Sequence, residues 1–239
     1  AHQHRDWRVS AGARRHARRR IVLEYARTLA GGREVVDRRA NTAERAKMRV
    51  VVDGNGGRRA MAAVEQHYGR IDGLVNNAGR SYAAAVEEIE PEIFEEIFRL
   101  NVLGPIVAMQ AVIPGMRSRG GGAIVNMCSL NATHAQPRFA AYNASKGGVL
   151  GLTRQMAYDY GPEIRVNCVS PGVTDTPAVR AAIEADPGLE EVLVQSNHVA
   201  LRLARPEEIA QGILFLASEE ASFCFGTDLM IGGGQTVLP

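Results

Sequence analysis

Short apolar runs alternate with segments of helical periodicity along this chain, and that alternation limits the possible folds more than any other feature. The apolar runs have the length and the branched side chains of buried strands, and they lie at 49–52, 71–75, 123–128, 164–169 and 227–231. Glycine or proline ends most of the helical segments between them. Strands that alternate with helices predict a parallel sheet with helices on both faces. We therefore expect a single Rossmann-like α/β/α domain, with a doubly wound parallel sheet, over residues 1–239.

The composition fits a globular domain in a reducing compartment. Of the 239 residues, 46% are hydrophobic and 23% are charged, which is ordinary for a chain with a buried core. The chain has no uninterrupted run of about 18 apolar residues, so we expect no membrane span. Cys128, Cys168 and Cys224 are far apart in apolar segments and predict buried thiols, with no disulfide and no metal site. We expect a cytoplasmic protein.

The stretch from Ser129 to Lys146 contains the strongest candidates for catalytic chemistry. Tyr142 and Lys146 are four residues apart, so on a helix they lie one turn apart on the same face. A neighbouring ammonium favours the phenolate form of a tyrosine, which helps a phenol to exchange a proton near neutral pH. Ser129 follows the predicted strand at 123–128, and open α/β sheets bind ligands at that end of their strands. The three groups suit acid/base chemistry on an alcohol or carbonyl, although a half-buried tyrosine beside a solvated lysine explains the Tyr142–Lys146 spacing equally well.

Three further motifs accompany these residues. They are NNAG at 76–79, NV at 101–102 within a predicted helix, and SPGVTDTP at 170–177. In this order, and together with Ser129, Tyr142 and Lys146, they resemble the classical type of the short-chain dehydrogenase/reductase family. The resemblance extends over about residues 50–239 and is poor before residue 50.

The resemblance implies an NAD(P)-dependent oxidoreductase that transfers a hydride between nicotinamide and a secondary alcohol or ketone. It implies that Tyr142 exchanges the proton with the substrate oxygen and that Ser129 donates a hydrogen bond to this oxygen. It also implies that Lys146 binds the nicotinamide ribose and that Asn101 links a water to Lys146. The cofactor-binding residues that it implies are Gly12, Asp37, Asp53, Asn77, Ala78, Gly79, Tyr142, Lys146, Pro171, Gly172, Thr174 and Thr176.

Pro105 gives an independent reason to single out Asn101. In a continuous helix the N–H of residue 105 would donate to the main-chain carbonyl of Asn101, and proline has no N–H. The carbonyl of Asn101 would then be free to hold a water, which agrees with the relay that the resemblance implies. A simple kink in the helix is the alternative.

Residues 1–20 depart from the family pattern. The resemblance implies an apolar strand followed by T-G-x-x-x-G-x-G, whose glycines let the backbone approach the pyrophosphate. Only Gly12 matches, because His16 and Arg18 occupy the places of the second and third glycines. Either arginines replace backbone amides as phosphate ligands, or this segment does not record the working protein faithfully. We favour the second explanation and expect a strand near Arg8–Ala11 with a tight turn after Gly12.

The choice between NAD and NADP depends on residues 37–39. A short predicted strand at 34–36 ends at Asp37, about 20 residues beyond the glycine loop, where an acid usually accepts from the ribose hydroxyls of NAD. Arg38 and Arg39 follow at once, and arginines there suit the 2′-phosphate of NADP. A solvated Asp37 in a turn is a further alternative. We expect NAD as the cofactor, with NADP as the alternative.

Positive charge is concentrated at the N-terminus. Residues 1–20 contain seven arginines and one aspartate, although the formal net charge of the whole chain is +2. Such blocks occur in nucleic-acid binders, at acidic lipid surfaces and in transit peptides. Here Trp7 is the only tryptophan, tyrosine or phenylalanine of the block and Ser10 its only serine, so we expect neither a nucleic-acid partner nor a transit peptide. A cofactor-deficient binding or scaffold protein on the same fold is the other alternative to an enzyme.

We expect a small-molecule alcohol or ketone as the substrate. We expect substrate contacts from 80–86, 130–139 and 177–204, and the last of these is a predicted lid with one helix and a loose remainder. We assign no role to His134 or His198, which are more easily explained as surface residues.

The resemblance also implies self-association. It implies a homodimer or homotetramer that pairs through the helices containing Asn101 and Tyr142, and through the last helix and strand. Apolar residues on those helices agree with such an interface.

Overall fold

The computed structural model describes residues 49–52 and 57–237, and of residues 49–60 and Ala63 it describes at most the backbone course. Five strands of this part form one parallel sheet, in which each strand pairs with the next along the chain. They are β1 (Arg49–Val52), β2 (Gly73–Asn76), β3 (Gly122–Met127), β4 (Ile164–Pro171) and β5 (Asp228–Ile231). The five strands that were predicted within the described residues are confirmed, and their ends lie within two residues of the predicted ones. The strands predicted near Arg8–Ala11 and at 34–36 lie outside the described residues.

Helices follow the strands throughout the described ranges. They are α1 (Gly57–Tyr68), α2 (Pro91–Phe98), α3 (Gly104–Ser118), α4 (Ala140–Tyr160), α5 (Pro177–Ala185), α6 (Leu189–Ser196) and α7 (Pro206–Ala217). Pro91, Pro177 and Pro206 each begin a helix, because proline at the first position removes an N–H that has no partner there anyway.

The two faces of the sheet pack against different helices. Leu74, Ile124 and Val166 belong to a core cluster with residues of α1, α3 and α4. Val75 and Val125, the next residues along β2 and β3, belong to a second cluster with residues of α7. Side chains alternate between the faces of a strand, so a continuous apolar run fills both cores. The fold is therefore the expected Rossmann-like α/β/α arrangement.

A buried polar network joins the centre of the sheet to α4. The Asn76 side-chain amide donates to Asn126 Oδ1 at 2.8 Å, and the Asn126 amide donates to Thr153 Oγ1 at 3.0 Å. The Thr153 hydroxyl in turn donates to the carbonyl of Val149 at 2.8 Å. Buried polar groups need such partners, so this network fixes how α4 sits on the strands. It thereby sets the position of the residues at the N-terminal end of α4.

The helical stretch that contains Asn101 is not continuous α-helix. Residues Arg99–Leu103 form a π-helical turn between α2 and α3, in which the N–H of Gly104 donates to the carbonyl of Arg99. Pro105 comes directly after this turn and cannot donate a main-chain hydrogen bond. Widened π-turns are frequent at functional sites, and this one places the side chain of Asn101 in the interior, 1% exposed.

The stretch Pro91–Ser118 is long and apolar enough to cross a membrane by length and composition alone, with a mean hydropathy of 1.5 over its most apolar window and 39% of that window buried. This differs from the expectation of no candidate span. Within the fold, α3 buries Met109, Val112 and Met116 in the core beside α1. Core helices commonly have such composition, and the packing of α3 is that of a core helix.

Two expectations about the chain are corrected. The predicted lid at 177–204 contains two helices, α5 and α6, where one was expected. The helix breaks because Pro187 follows Asp186, and a residue before proline is disfavoured in helical conformation. Cys128 and Cys168 are buried as predicted, but Cys224 is only half-buried.

Candidate active site

A cavity of about 150 Å³ lies at the carboxyl edge of the sheet, where the loops after β2, β3 and β4 meet the start of α4. Parallel α/β sheets bind their ligands at this edge. The cavity brings together Ser129 and Tyr142, which the sequence pattern had paired. Its described lining is Ser81, Ser129, Asn131, Gln136, Phe139, Tyr142, Pro171, Gly172, Val173 and Gln235.

Ser129 is held in one orientation at the end of β3. Its hydroxyl oxygen caps the short helical turn Leu130–Ala132 and accepts a hydrogen bond from the N–H of Asn131 at 3.2 Å. The side chain is 9% exposed, so its mobility is restricted by packing. Because an oxygen that accepts from a main-chain N–H keeps its own hydrogen, the Ser129 hydroxyl can still donate to a molecule in the cavity.

Tyr142 and Lys146 lie on the first two turns of α4 and approach each other as their spacing predicted. The Lys146 ammonium is 5.6 Å from the centre of the Tyr142 ring. It is buried, 4% exposed, and donates to the carbonyl of Met127 at 2.7 Å. A lysine has three N–H donors, so this contact fixes the ammonium, and its other two donors have no hydrogen-bond partner among the described residues.

Asn101 connects the loop after β2 to α4. Its amide oxygen accepts from the N–H of Arg80 at 2.8 Å, and its amide nitrogen donates to the carbonyl of Arg80 at 2.9 Å. The same nitrogen donates to Ser145 Oγ at 2.9 Å. A β-carbon placed on Gly79 would lie 3.4 Å from the Lys146 ammonium and 3.5 Å from the Asn101 oxygen. The loop at 76–79, Asn101 and Lys146 are therefore direct neighbours.

The loop after β4 passes close to the end of β5. A β-carbon on Gly172 would lie 2.9 Å from the carbonyl oxygen of Gly232, so this position requires glycine. The Thr174 hydroxyl donates to the carbonyl of Gly172 at 3.0 Å, and the Thr176 hydroxyl accepts from the N–H of Val179 as the N-cap of α5. These contacts hold both threonines at the edge of the site.

Asn197 supports this loop from the lid, and the sequence patterns had not singled it out. It is 1% exposed, and its amide donates to the carbonyls of Val173 and Arg202 at 3.2 and 2.8 Å. Asn197 follows α6 directly, so its bond to Val173 joins the end of α6 to the loop after β4. A buried asparagine after a helix has no local sequence signature, because its partners are distant in the chain.

Arg180 ties the two lid helices to the same loop. Its guanidinium contacts both carboxylate oxygens of Asp175 at 2.5 and 2.7 Å and Glu190 Oε1 on α6 at 3.1 Å. The bidentate contact with Arg180 lowers the pKa of Asp175 below its ordinary value. The lid is thus anchored by charge at a position next to Thr174 and Thr176.

The described residues fit the nicotinamide end of a dinucleotide. Gly79 is exposed after β2, Gly172 is half-buried after β4, and two donors of Lys146, beside Gly79, have no partner among the described residues. Asn77 and Ala78 are half-buried in the same loop, and Pro171 lines the cavity. The pyrophosphate would contact Gly12 and the adenosine would contact Asp37 and Asp53, and all three residues lie outside the described residues.

The sequence analysis located the cavity only in part. Ser81 comes from the expected stretch 80–86, and Asn131, Gln136 and Phe139 come from 130–139. The lid contributes no residue to the lining that the structure describes, whereas Val173 and Gln235 do. His134 is exposed and contacts Thr133 instead of the cavity. Gln235 was missed because it follows the last strand in a glycine-rich turn without a recognisable motif.

Residues 16–236 match the sequence model of a protein family described as Enoyl-(Acyl carrier protein) reductase. The chain belongs to the short-chain dehydrogenase/reductase family, and its class is oxidoreductase. The family match begins well before residue 50, so it extends further toward the N-terminus than the motifs had indicated. It still leaves Gly12 outside.

Relatives and solved structures agree with this assignment. An uncharacterized oxidoreductase of Thermotoga maritima is 41% identical over 174 residues, which cover 72% of this chain and 69% of the relative. The inactive 2-(S)-hydroxypropyl-CoM dehydrogenase 2 of Xanthobacter autotrophicus is 40% identical over 183 residues, 75% of this chain and 79% of the relative. The structure of a gluconate 5-dehydrogenase from Burkholderia cenocepacia J2315, in complex with NADP and tartrate, has a TM-score of 0.71 at 34% identity and covers 76% of this chain and 71% of its own.

Proposed function

We propose that this short-chain dehydrogenase/reductase is an NAD(P)-dependent alcohol dehydrogenase or ketone reductase with Tyr142 as its general acid/base. The observation that carries the proposal is that Ser129 and Tyr142 line one small cavity at the carboxyl edge of the sheet, with Lys146 directly behind the tyrosine. A phenol, a hydroxyl donor and an ammonium in this arrangement can move a proton at one substrate oxygen.

Each residue has a separate task in the proposed reaction. A bound nicotinamide dinucleotide supplies or accepts the hydride. Ser129 donates to the substrate oxygen, and this hydrogen bond strengthens as negative charge grows on that oxygen. Tyr142 delivers the proton to the oxygen in reduction and removes it in oxidation.

Lys146 is proposed to serve both the tyrosine and the cofactor. Its positive charge, 5.6 Å from the ring centre, stabilises negative charge on the phenol oxygen while the proton is away. Its two unused donors suit the ribose hydroxyls of the nicotinamide end. The carbonyl of Met127 holds the ammonium where both tasks are possible.

Asn101 is proposed to position this pair. Its side chain accepts from the N–H of Arg80 and donates to the carbonyl of Arg80, and it also donates to Ser145 on α4. These bonds hold Gly79, the residue before Arg80, close to Lys146. The water relay through its main-chain carbonyl stays a prediction. An Asn101→Ala variant would separate the two tasks, because it removes the side-chain clamp and leaves the carbonyl.

We propose NAD as the preferred cofactor. The support is Asp37 after a short predicted strand, which would accept from ribose hydroxyls and repel a 2′-phosphate. The similar gluconate 5-dehydrogenase was solved with NADP, and Arg38 and Arg39 are consistent with that alternative. Specificity constants with both cofactors test the choice, and a tenfold preference for NADP would contradict it.

We propose that the protein works as a homodimer or homotetramer. Large apolar side chains are exposed near α7 and β5, and Phe223, with 98% of its surface exposed, is the extreme case. Phe215, Phe225 and Met230 are also exposed in this region. Apolar surface of this kind marks interfaces. Sedimentation that shows only a 25.8 kDa monomer at micromolar concentration would refute the proposal.

A second candidate is a cofactor-deficient binding or scaffold protein on the same fold. Two observations favour it: Gly12 is the one matching glycine of the phosphate loop, and a relative with 40% identity is named as inactive. Thermal protection by NAD(H) separates the two candidates. Protection supports the dehydrogenase. The absence of both protection and turnover supports the scaffold.

The decisive experiment is Tyr142→Phe, assayed with NAD and NADP across several classes of alcohol. We expect turnover to fall by at least about 10²-fold, the scale of general acid/base catalysis. Tyr158→Phe is the matched control, since Tyr158 lies on the same helix with 87% of its surface exposed. Near-normal turnover by a folded Tyr142→Phe protein would exclude the assigned role.

A further inference from the structure

The cavity contains a buried acceptor that has no partner. Gln235 lines the cavity, and its side-chain oxygen is buried without a hydrogen bond from any described residue. Glycines at 233 and 234, with φ of 59° and 86°, turn the chain after β5 so that the N–H of Gln235 donates to the carbonyl of Gly232. Unpaired buried acceptors are rare, so a donor from a bound molecule would meet no competing partner at this oxygen among the described residues.

A second amide of the lining is oriented by its neighbours. The buried Asn131 amide nitrogen donates to Gln136 Oε1 at 3.2 Å and to Asn143 Oδ1 at 3.0 Å. Since the oxygen of Gln136 is engaged, its amide nitrogen is the group that can donate into the cavity. Gln235 and Gln136 thus offer one acceptor and one donor beside Ser129 and Tyr142.

The lining carries no formal charge in the described part of the chain. It contains neither an acid nor a basic side chain, and Tyr142 is its one titratable group with a reaction role. Arg80 and Arg138, next in sequence to the lining residues Ser81 and Phe139, are ion-paired with Glu96 and Glu88. The Lys146 ammonium is not part of this lining and already donates to the carbonyl of Met127. A carboxylate or phosphate in this cavity would therefore lose hydration without a cationic side chain in the described lining to replace it.

The cavity is also small. Its volume of about 150 Å³ is half of the low end of ordinary ligand pockets, about 300 Å³. Six of its ten described lining residues are polar, and Phe139 is the only one with an apolar aromatic ring. A long acyl chain or a steroid would leave these polar groups unpaired, whereas a compact molecule with several hydroxyls would satisfy them.

We infer that the substrate is a small, neutral polyhydroxylated alcohol or its ketone, and that Gln235, with Gln136, selects it by hydrogen bonds to hydroxyls that do not react. The inference rests on the proposed dehydrogenase function. A site built to bond a hydroxyl discriminates strongly against the analogue that lacks it, because its buried polar groups then stay unpaired. Gln235 is thus a specificity-determining residue, and Ser129 and Tyr142 act on the hydroxyl that is oxidised.

The test uses a four-carbon series in which only the substituents differ. Erythritol, 2-butanol, 3-hydroxybutanoate and 3-hydroxybutanoyl-CoA are oxidised by the full chain with its better cofactor, and xylitol and sorbitol extend the polyols. We expect kcat/KM for the best polyol to exceed that for 2-butanol and both charged compounds by at least tenfold. Gln235→Leu should lower kcat/KM for the polyols by about tenfold, the value of a lost hydrogen bond in a buried site, and change it for 2-butanol by less than threefold.

Control variants distinguish selection from damage. Gln155→Leu, at an exposed position of α4, should leave kcat/KM unchanged for both the polyols and 2-butanol. Gln136→Leu replaces Gln235→Leu if the latter does not fold, and should show the same polyol-specific loss. Equal losses for erythritol and 2-butanol in the cavity variants would overturn the inference, because they would indicate general disruption.

The outcomes also separate this inference from the proposed function. If turnover depends on Tyr142 but 2-butanol, the carboxylate or the thioester is preferred, the substrate inference is wrong and the dehydrogenase proposal stands. If no compound gives Tyr142-dependent turnover, both are wrong. Polyol preference that disappears in the glutamine variants and requires Tyr142 supports both.

Discussion

Each of the two edges of the sheet carries a cavity with polar residues in its lining, and the two cavities differ in how these polar groups are used. The cavity at the amino edge is the larger, about 340 Å³ against about 150 Å³. It is lined by residues that precede or begin β2, β3 and β4, and by residues between the end of α7 and β5. Its charged groups are engaged within the protein. Arg70 pairs with Asp72, and the Arg165 guanidinium donates to the carbonyls of Leu216, Ser218 and Ala221.

At the carboxyl edge, hydrogen-bonding capacity is left over. The oxygen of Gln235 is unpaired within the described chain, Ser129 keeps its hydroxyl hydrogen, and Lys146 uses one donor of three. At the amino edge the one comparable atom in the described ranges is Arg119 Nε, whose guanidinium already contacts Glu65 and the carbonyl of Ile71. The comparison indicates that unused donors and acceptors mark the site better than volume does.

The largest expected effect comes from replacing one serine in the lining of each cavity and comparing the two variants. Ser129→Ala should lower kcat by about 10²–10³-fold, because the substrate oxygen loses the donor that stabilises its negative charge. Ser222→Ala, in the lining of the amino-edge cavity, should leave kcat within twofold. The measurement is steady-state turnover of both purified variants. Equal losses in the two variants would mean that the edges are not functionally different.

The next effect concerns stability at the amino edge. Arg165→Met leaves three main-chain carbonyls without their donor, and we expect a loss of about 2 kcal/mol in the free energy of unfolding. Its kcat and KM should stay unchanged while the protein is folded. Arg117→Met is the control, since solvent screens its exposed pair with Glu163 and the free energy of unfolding should change much less than in Arg165→Met. Urea unfolding gives both values, and a kinetic defect without a stability change would show that this edge takes part in function.

A smaller effect is expected at the lid. Arg180→Met removes the contacts to Asp175 and Glu190, and two exposed ion pairs correspond to about a fivefold change in the population of the ordered lid. We expect KM to rise by this factor with kcat within twofold. Arg180→Lys keeps the charge but not the bidentate geometry and should give an intermediate KM. If the wild type, Arg180→Met and Arg180→Lys have the same KM, the contacts of Arg180 do not determine KM.

The smallest effect is a pH-dependent stability at the start of α7. Hydrogen bonding to Arg202 is the main cause that lowers the pKa of Glu208 from its ordinary 4.5 to about 2. The unfolded chain therefore binds the proton more tightly between these values, so the stabilisation is complete above pH 4.5 and is lost as the pH falls toward 2. Because the pair is largely solvent-screened, Glu208→Gln should cost less than about 1 kcal/mol at pH 7.

The control for this prediction is Glu207→Gln, an exposed neighbour in the same turn. The difference between wild type and Glu208→Gln in urea midpoint should narrow as the pH is lowered from 5 to 3. Glutamine can keep the main-chain contact to Arg205, so the variant isolates the charge. A difference that does not vary with pH would contradict the assigned cause.

The sequence by itself determined the strands of the sheet and the pairing of Tyr142 with Lys146 in the active site. The alternation of apolar runs with helices predicted β1 to β5, since side-chain periodicity is a local property. The four-residue spacing of Tyr142 and Lys146 placed them together, because one turn of helix fixes that distance. The ordered motifs were sufficient for the family, which the match over residues 16–236 confirmed.

Only the tertiary structure decided what surrounds those residues. Gln235 lines the same cavity as Ser129 because β5 lies beside β4 and a glycine turn follows β5. The Asn76–Asn126 bond exists because β2 and β3 pair in that register, and the lid helices are anchored through Arg180 and Asn197. These contacts join strand ends and loops that are distant in sequence. Local periodicity carries no information about which of them become neighbours, since that is set by strand order, register and packing.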